Sequence, residues 1–177
     1  MIKMLKKAAV VLAVLVAAVL IYATTKPDTL HVERSASIQA PAEKIRPLIE
    51  DFHVWTSWSP WEKRDPALKR TFSGAPRGKG AIYEWNGNSE VGQGRMEILD
   101  SNPSQISIQL DFIKPFEGHN ITEFKFTPRG GSTDVTWVMR GPSNYLGKVM
   151  SVFIDMDDMI GRDFEAGLGS MKSVAES

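Results

Sequence analysis

Apolar residues recur at steps of three and four through the C-terminal stretch from about Ser143 to Ala175. Phe153, Met156, Ile160, Phe164, Leu168, Met171 and Ala175 fall on one stripe of a 3.6-residue spiral. Asp155, Asp158, Arg162, Glu165 and Lys172 fall on the other side. The pattern predicts one long terminal helix of roughly 40–50 Å at 1.5 Å per residue, which needs a broad apolar surface to lie on. The middle of the chain supplies that surface as short alternating strands over Leu68–Ser73, Ala81–Trp85, Gly94–Leu99, Gln105–Ile113, Asn120–Thr127 and Thr133–Arg140. Turn residues separate them, at 74–80, 86–88, 101–103, 114–115 and 128–131. A spacing of about 10–14 residues, with no helical pattern between strands, favours antiparallel meander pairing.

Upstream, His31–Ile38 alternates and reads as a first strand. A helix starts at Ala40-Pro41-Ala42-Glu43, carries Ile45, Leu48 and Ile49 inward, and is kinked or shortened by Pro47. Between it and the meander, three of the five tryptophans, Trp55, Trp58 and Trp61, fall in seven residues. Such a loop caps one end of a core or lines a pocket mouth.

The N-terminus breaks the pattern. Ala8–Ala23 is uncharged throughout, and Lys3, Lys6 and Lys7 precede it. A helix over it covers roughly 24 Å, close to a ~30 Å hydrocarbon core. Residues 1–25 therefore read as a membrane anchor, residues 26–30 as a linker and residues 31–177 as one domain. The lysines place the N-terminus in the cytoplasm and the domain on the extracytoplasmic, periplasmic side. A cleaved signal peptide has the same outline, but Ile21-Tyr22-Ala23 lacks the small residue three before the cut.

Composition narrows the functions. The 21 basic and 21 acidic residues cancel, and setting the three N-terminal lysines aside leaves 18 basic against 21 acidic. That balance argues against a nucleic-acid partner. With no cysteine, disulfides, thiolate nucleophiles and thiolate metal sites are excluded. His31, His53 and His119 are scattered away from ligand spacing, so no metal is expected. The run Gly74-Ala-Pro-Arg-Gly-Lys79-Gly80 departs from a phosphate loop in spacing and leads into a strand, so it reads as a turn.

Several motifs together resemble the helix-grip, START-like (SRPBCC) superfamily, and most closely bacterial polyketide cyclase/dehydrase-like proteins. They are Phe52…Trp55-Thr-Ser-Trp58-Ser-Pro-Trp61-Glu, Gly80-Ala-Ile-Tyr-Glu-Trp85-Asn-Gly-Asn88, Val91-Gly-Gln-Gly-Arg-Met-Glu-Ile98 and Gly161-Arg-Asp-Phe-Glu-Ala-Gly-Leu168. The likeness runs from about Leu30 to Val174. It implies an α+β fold in which a curved antiparallel sheet grips a long C-terminal helix over a cavity. It brings no shared catalytic set and no cofactor.

The expected partner is a hydrophobic or amphipathic small molecule, lipid or polyketide-like. Its expected lining is Trp55, Trp58, Trp61, Tyr83, Trp85, Phe112, Phe124, Trp137 and Phe164, although aromatics at strand spacing are most often core. Asp157 projects into the apolar stripe, where a carboxylate needs a partner or a wet cavity; Arg140 and Arg95 are the candidate partners. Arg95 and Glu97 share a strand face and read as a solvated pair. Two other functions suit the scaffold. One is a non-catalytic envelope module docking a protein through the tryptophan loop. The other is a cyclase/dehydratase-type enzyme using the same cavity; catalysis ranks last because no acid–base constellation is visible.

Overall fold

The computed structural model describes residues 2–177, with the side chain of Ile2 left aside. Helix α1, Ile2–Ala23, is followed by β1, Thr29–Ile38. Pro47 divides the next helical stretch into two single turns, α2 (Ala42–Ile45) and α3 (Pro47–Glu50). Its missing N–H and fixed φ suit the first turn of a new helix better than the interior of an old one. The tryptophan loop is ordered as two 3₁₀ turns, Phe52–Ser57 and Pro60–Lys63, the first capped by the Asp51 carboxylate accepting from the His53 N–H.

Six strands follow: β2 (Lys69–Gly74), β3 (Ala81–Asn86), β4 (Gln93–Asn102), β5 (Gln105–Lys114), β6 (Gly118–Arg129) and β7 (Ser132–Pro142). They form an antiparallel meander closed by β1, in the order β1-β7-β6-β5-β4-β3-β2. The alternation along each strand turns Ile106, Ile108, Phe124, Phe126, Val135, Trp137 and Met139 to one buried face. Fully burying each large apolar side chain contributes about 1.5–3 kcal/mol.

The C-terminal stretch is not one helix. It divides into α4 (Tyr145–Met150) and α5 (Met156–Glu176), with a turn between them. The physical reason is Asp155, which takes extended backbone angles and accepts the Asp158 N–H, capping a new helix start. Phe153, expected on the buried stripe, is therefore 71% exposed. From Phe164 to Ala175 the stripe is buried as expected. Helix α5 lies along β1 and is clasped at both ends. Arg34 holds Asp157 and Glu165 at one end. At the other, Lys172 donates to the Ser37 carbonyl and the Gln39 N–H donates to Glu176.

Candidate functional site

The face beneath α5 is a lattice of aromatic rings built in cross-strand rows. One row runs Arg70, Trp85, Gly94, Phe112, Gly118; the next runs Phe72, Tyr83, Met96, Leu110, Asn120; a deeper one joins Ile106, Phe124, Trp137 and Arg34. Residues directly opposite one another on antiparallel strands share a face, so each row presents its side chains together. Gly94 serves the first row by its lack of a side chain: a Cβ there would lie 2.4 Å from the Trp85 ring.

Four of the five indoles are held by a hydrogen bond as well as by packing. Trp55 donates to the Ile49 carbonyl at 3.0 Å and Trp58 to the Leu48 carbonyl at 2.7 Å. Trp137 donates to the Thr122 hydroxyl at 2.8 Å, and Trp85 to the Val91 carbonyl at 3.0 Å. Trp58 packs edge-on to Trp137, with centroids 5.6 Å apart, and Phe124 lies 4.7 Å from Trp137. From the other side Phe164 stacks on Trp137 at 4.0 Å, and Trp61 meets both edge-on.

The structure thus brings all nine expected aromatic residues into one contiguous lattice, joined through Phe52. The interior between sheet and α5 is filled by these side chains. Trp61, Trp85, Leu110, Phe112 and Ile160 stay half-buried around it. A separate shallow pocket of about 160 Å³ lies between Phe52, His53, Phe72 and the 74–76 turn. His53 covers its side by stacking on Phe72 at 4.1 Å.

Asp157 is not in this lattice. It occupies the first turn of α5 at the surface, its side chain 56% exposed and bound to the Arg34 guanidinium at 3.0 Å. That contact holds its carboxyl below the usual carboxylate range. The two arginines considered as its partners are engaged elsewhere, Arg95 with Glu97 at 2.6 Å and Arg140 with Glu123 at 3.8 Å. Arg34 is 123 residues distant in sequence, so no local pattern announces the pair.

Three polar residues that sequence reasoning passed over do reach the lattice. Glu62, its side chain 6% exposed, accepts from the Tyr83 hydroxyl at 2.6 Å and from Arg70 at 2.7 Å. Burial first, and then this carboxylate, push the Tyr83 hydroxyl well above its ordinary pKa, so it stays a proton donor. The third is Asn120, buried in the row beside Leu110, whose side chain makes no hydrogen bond among the described residues. Its one sequence signal is a polar residue at an inward position of an otherwise apolar alternation. Among the described residues no cluster of histidine or carboxylate side chains is arranged to hold a metal ion.

The family described as polyketide cyclase/dehydrase and lipid transport matches residues 29–176. Solved structures share the fold at low identity. A protein of Chromobacterium violaceum is 16% identical with a TM-score of 0.58, covering 85% of this chain and 99% of its own. One from Thermobifida fusca is 19% identical with a TM-score of 0.62, covering 82% and 92%. The Aha1 dimer from Colwellia psychrerythraea is 14% identical with a TM-score of 0.59, covering 83% and 96%. No curated protein matches the chain.

Proposed function

The chain belongs to the polyketide cyclase/dehydrase and lipid transport family, and from that premise we propose that it is a membrane-anchored domain that binds a hydrophobic or amphipathic small molecule between its concave sheet and α5. The observation that carries this reading is the lattice itself. Nine aromatic side chains drawn from the tryptophan loop, four strands and α5 converge on one apolar surface with a half-buried rim. A ligand entering there gains by leaving water, at roughly 25 cal/mol per Å² of apolar area buried.

The interior is filled in this conformation, so uptake requires the rings contributed by α5 and the second 3₁₀ turn, Phe164 and Trp61, to move outward. The polar groups that orient the ligand are Asn120 and the Glu62–Tyr83 pair, in place of Asp157. Asn120 offers an amide that no protein group uses, and Tyr83 lies in the same cross-strand row. Helix α1 is long and apolar enough to cross a membrane. Lys3, Lys6 and Lys7 favour a cytoplasmic N-terminus and an extracytoplasmic domain.

Docking of a protein through the tryptophan loop is less well supported, because Trp55 and Trp58 are buried and only Trp61 reaches the surface. Catalysis is less well supported too: Arg70 holds Glu62 as a paired carboxylate and Tyr83 as its donor, which suits structure or recognition better than proton transfer.

The test is a titration of residues 26–177 with an environment-sensitive apolar fluorophore. Among the described side chains of α1 only Ala23 is buried, so this domain keeps its packing. Saturable uptake near one probe per protein, competed by long-chain amphiphiles, is expected. Unsaturable, weak partitioning contradicts the reading.

A further inference from the structure

The exposed apolar side chains of the domain are not scattered. Outside α1, eight large hydrophobic residues are exposed, and all but Leu99 lie at one end of the sheet. That end is defined by the paired residues Thr29 and Pro142, where β1 begins and β7 ends. Following the register across the sheet, Gly118, Lys114, Gln93, Asn86 and Lys69 share it. Ile113 and Phe116 sit on the β5–β6 hairpin there, and Tyr145, Leu146, Phe153, Ile154 and Met159 on α4, the following turn and the start of α5. Phe116 is 55% exposed and Phe153 71%.

The same end receives α1. The helix stops at Ala23 and the chain enters β1 at Thr29, next to where α4 departs from β7. Three bonds tie α4 and its lead-in to the exit of α1. The Tyr145 hydroxyl donates to the Leu20 carbonyl at 3.0 Å, the Ser143 N–H donates to the Asp28 carbonyl at 2.8 Å, and Lys148 is ion-paired with Asp28. Leu20 is three residues from the end of α1, about 5 Å along its axis. Anything bonded there stands at the boundary between acyl chains and headgroups. Tyr22 and Tyr145 fit that depth, where aromatic rings with one polar end collect.

We propose that this end of the sheet, through Tyr145, Leu146, Phe153, Ile154 and Phe116, inserts into the interfacial layer of the bilayer that α1 spans. The proposal rests on the reading of α1 as an uncleaved anchor. An apolar surface of this kind lies about 5–10 Å into the headgroup boundary. The occupant is lipid because the patch is continuous with α1. The exposed ionic groups around the patch are Lys114 and Glu117 on the hairpin and Asp155, Asp157 and Asp158 at the start of α5, acidic on balance, so attraction to anionic lipid is not the driving force. The arrangement also turns the Trp85, Phe112 and Leu110 part of the rim toward the membrane, since these residues lie at the same end of their strands. An apolar ligand then passes between bilayer and interior without crossing water.

The absence of cysteine makes the test direct. The full chain is reconstituted in phosphatidylcholine vesicles with a single fluorophore-labelled cysteine at Leu12→Cys, Arg77→Cys, Phe116→Cys or Phe153→Cys. Arg77 lies on the β2–β3 hairpin, at the opposite end. Labels at 116 and 153 are expected to be blue-shifted, quenched by nitroxides placed shallowly on lipid chains, and shielded from aqueous iodide. The label at 77 is expected to be open to iodide, and the label at 12 quenched by deep nitroxides. If 116 and 153 behave like 77 while 12 stays deep, the proposal is overturned and the anchor stands. If 12 is itself open to iodide, the anchor fails and the proposal with it. If 116 and 153 are shielded from iodide and lipid nitroxides alike, a second protein copy covers the patch, which also overturns it.

Discussion

The ring of Phe164 lies flat on the indole of Trp137, with centroids 4.0 Å apart and planes within 3°. This contact joins α5 to the middle of the sheet, and it closes the space a ligand would fill. Replacing Phe164 with alanine removes one wall of the stack and leaves a cavity. The expected loss is about 3–5 kcal/mol in urea denaturation. Under conditions where the variant stays folded, it should take up a small apolar probe more tightly than the parent. Equal probe affinity would mean that the interior does not open at this contact.

Two glycines on α5 separate close packing from helix propensity. A Cβ at Gly167 would lie 2.9 Å from the Trp137 ring and 3.2 Å from Pro60, both rigid. At Gly169 nothing lies within 4 Å. Gly169→Ala should therefore stabilise by roughly 0.5–1 kcal/mol, as alanine does in an exposed helix interior. Gly167→Ala should destabilise by about 1–3 kcal/mol through overpacking. Thermal melts of the two variants against the parent decide this, and a gain at 167 would contradict the tight approach of α5.

Asn120→Ala removes an amide that bonds to no protein group and keeps some contact with solvent, so stability should change by less than about 1 kcal/mol. Affinity for an amphiphile with a polar head should fall about 5- to 10-fold, the equivalent of one hydrogen bond. Affinity for a purely apolar probe should be unchanged. Parallel titrations with the two ligand types read the difference, and an equal loss for both would remove Asn120 from the ligand's polar contacts.

Asp157 contributes to pH dependence rather than to the interior. Arg34 lowers its folded pKa, so its stabilisation is complete above the ordinary carboxylate value of about 3.9 and disappears as pH falls below it. The pair is largely exposed, so Asp157→Asn should lose under about 1 kcal/mol at pH 7. Denaturation midpoints of variant and parent should converge as pH falls through the lowered carboxyl value.

Tyr83 runs the other way. Its folded pKa is raised, so its contribution is complete below about pH 10 and is lost as pH rises beyond it. Absorbance at alkaline pH should show its ionisation only with unfolding, and Tyr83→Phe should delete that late step alone. Glu62→Gln weakens the same cluster and should destabilise by about 1–3 kcal/mol.

Much of the fold was legible because strand alternation is a local signal. Ile106, Ile108, Leu110 and Phe112 repeat at every second position, and the Pro and Gly turns between strands are local as well. The break between α4 and α5 was legible in principle. Asp155 precedes two acids in the first turn of α5, which is helix-start chemistry, but the apolar period continues through Phe153 and masks it. The aromatic lattice was readable as residue types and not as contacts. What escaped was pairing across elements: Arg34 meets Asp157 because α5 returns along β1, and Glu62 meets Tyr83 because the second 3₁₀ turn folds back onto β3. Projection on an ideal helix assigned Asp157 to the buried stripe because it ignored where the helix begins.

The most direct measurement is native mass spectrometry with solvent extraction on residues 26–177, produced with the leader and purified without detergent. A discrete added mass, extractable as a lipid or polyketide-like compound, or taken up stoichiometrically from a membrane lipid extract, is the predicted result. A bare protein mass that stays bare after exposure to that extract would contradict ligand binding in the interior.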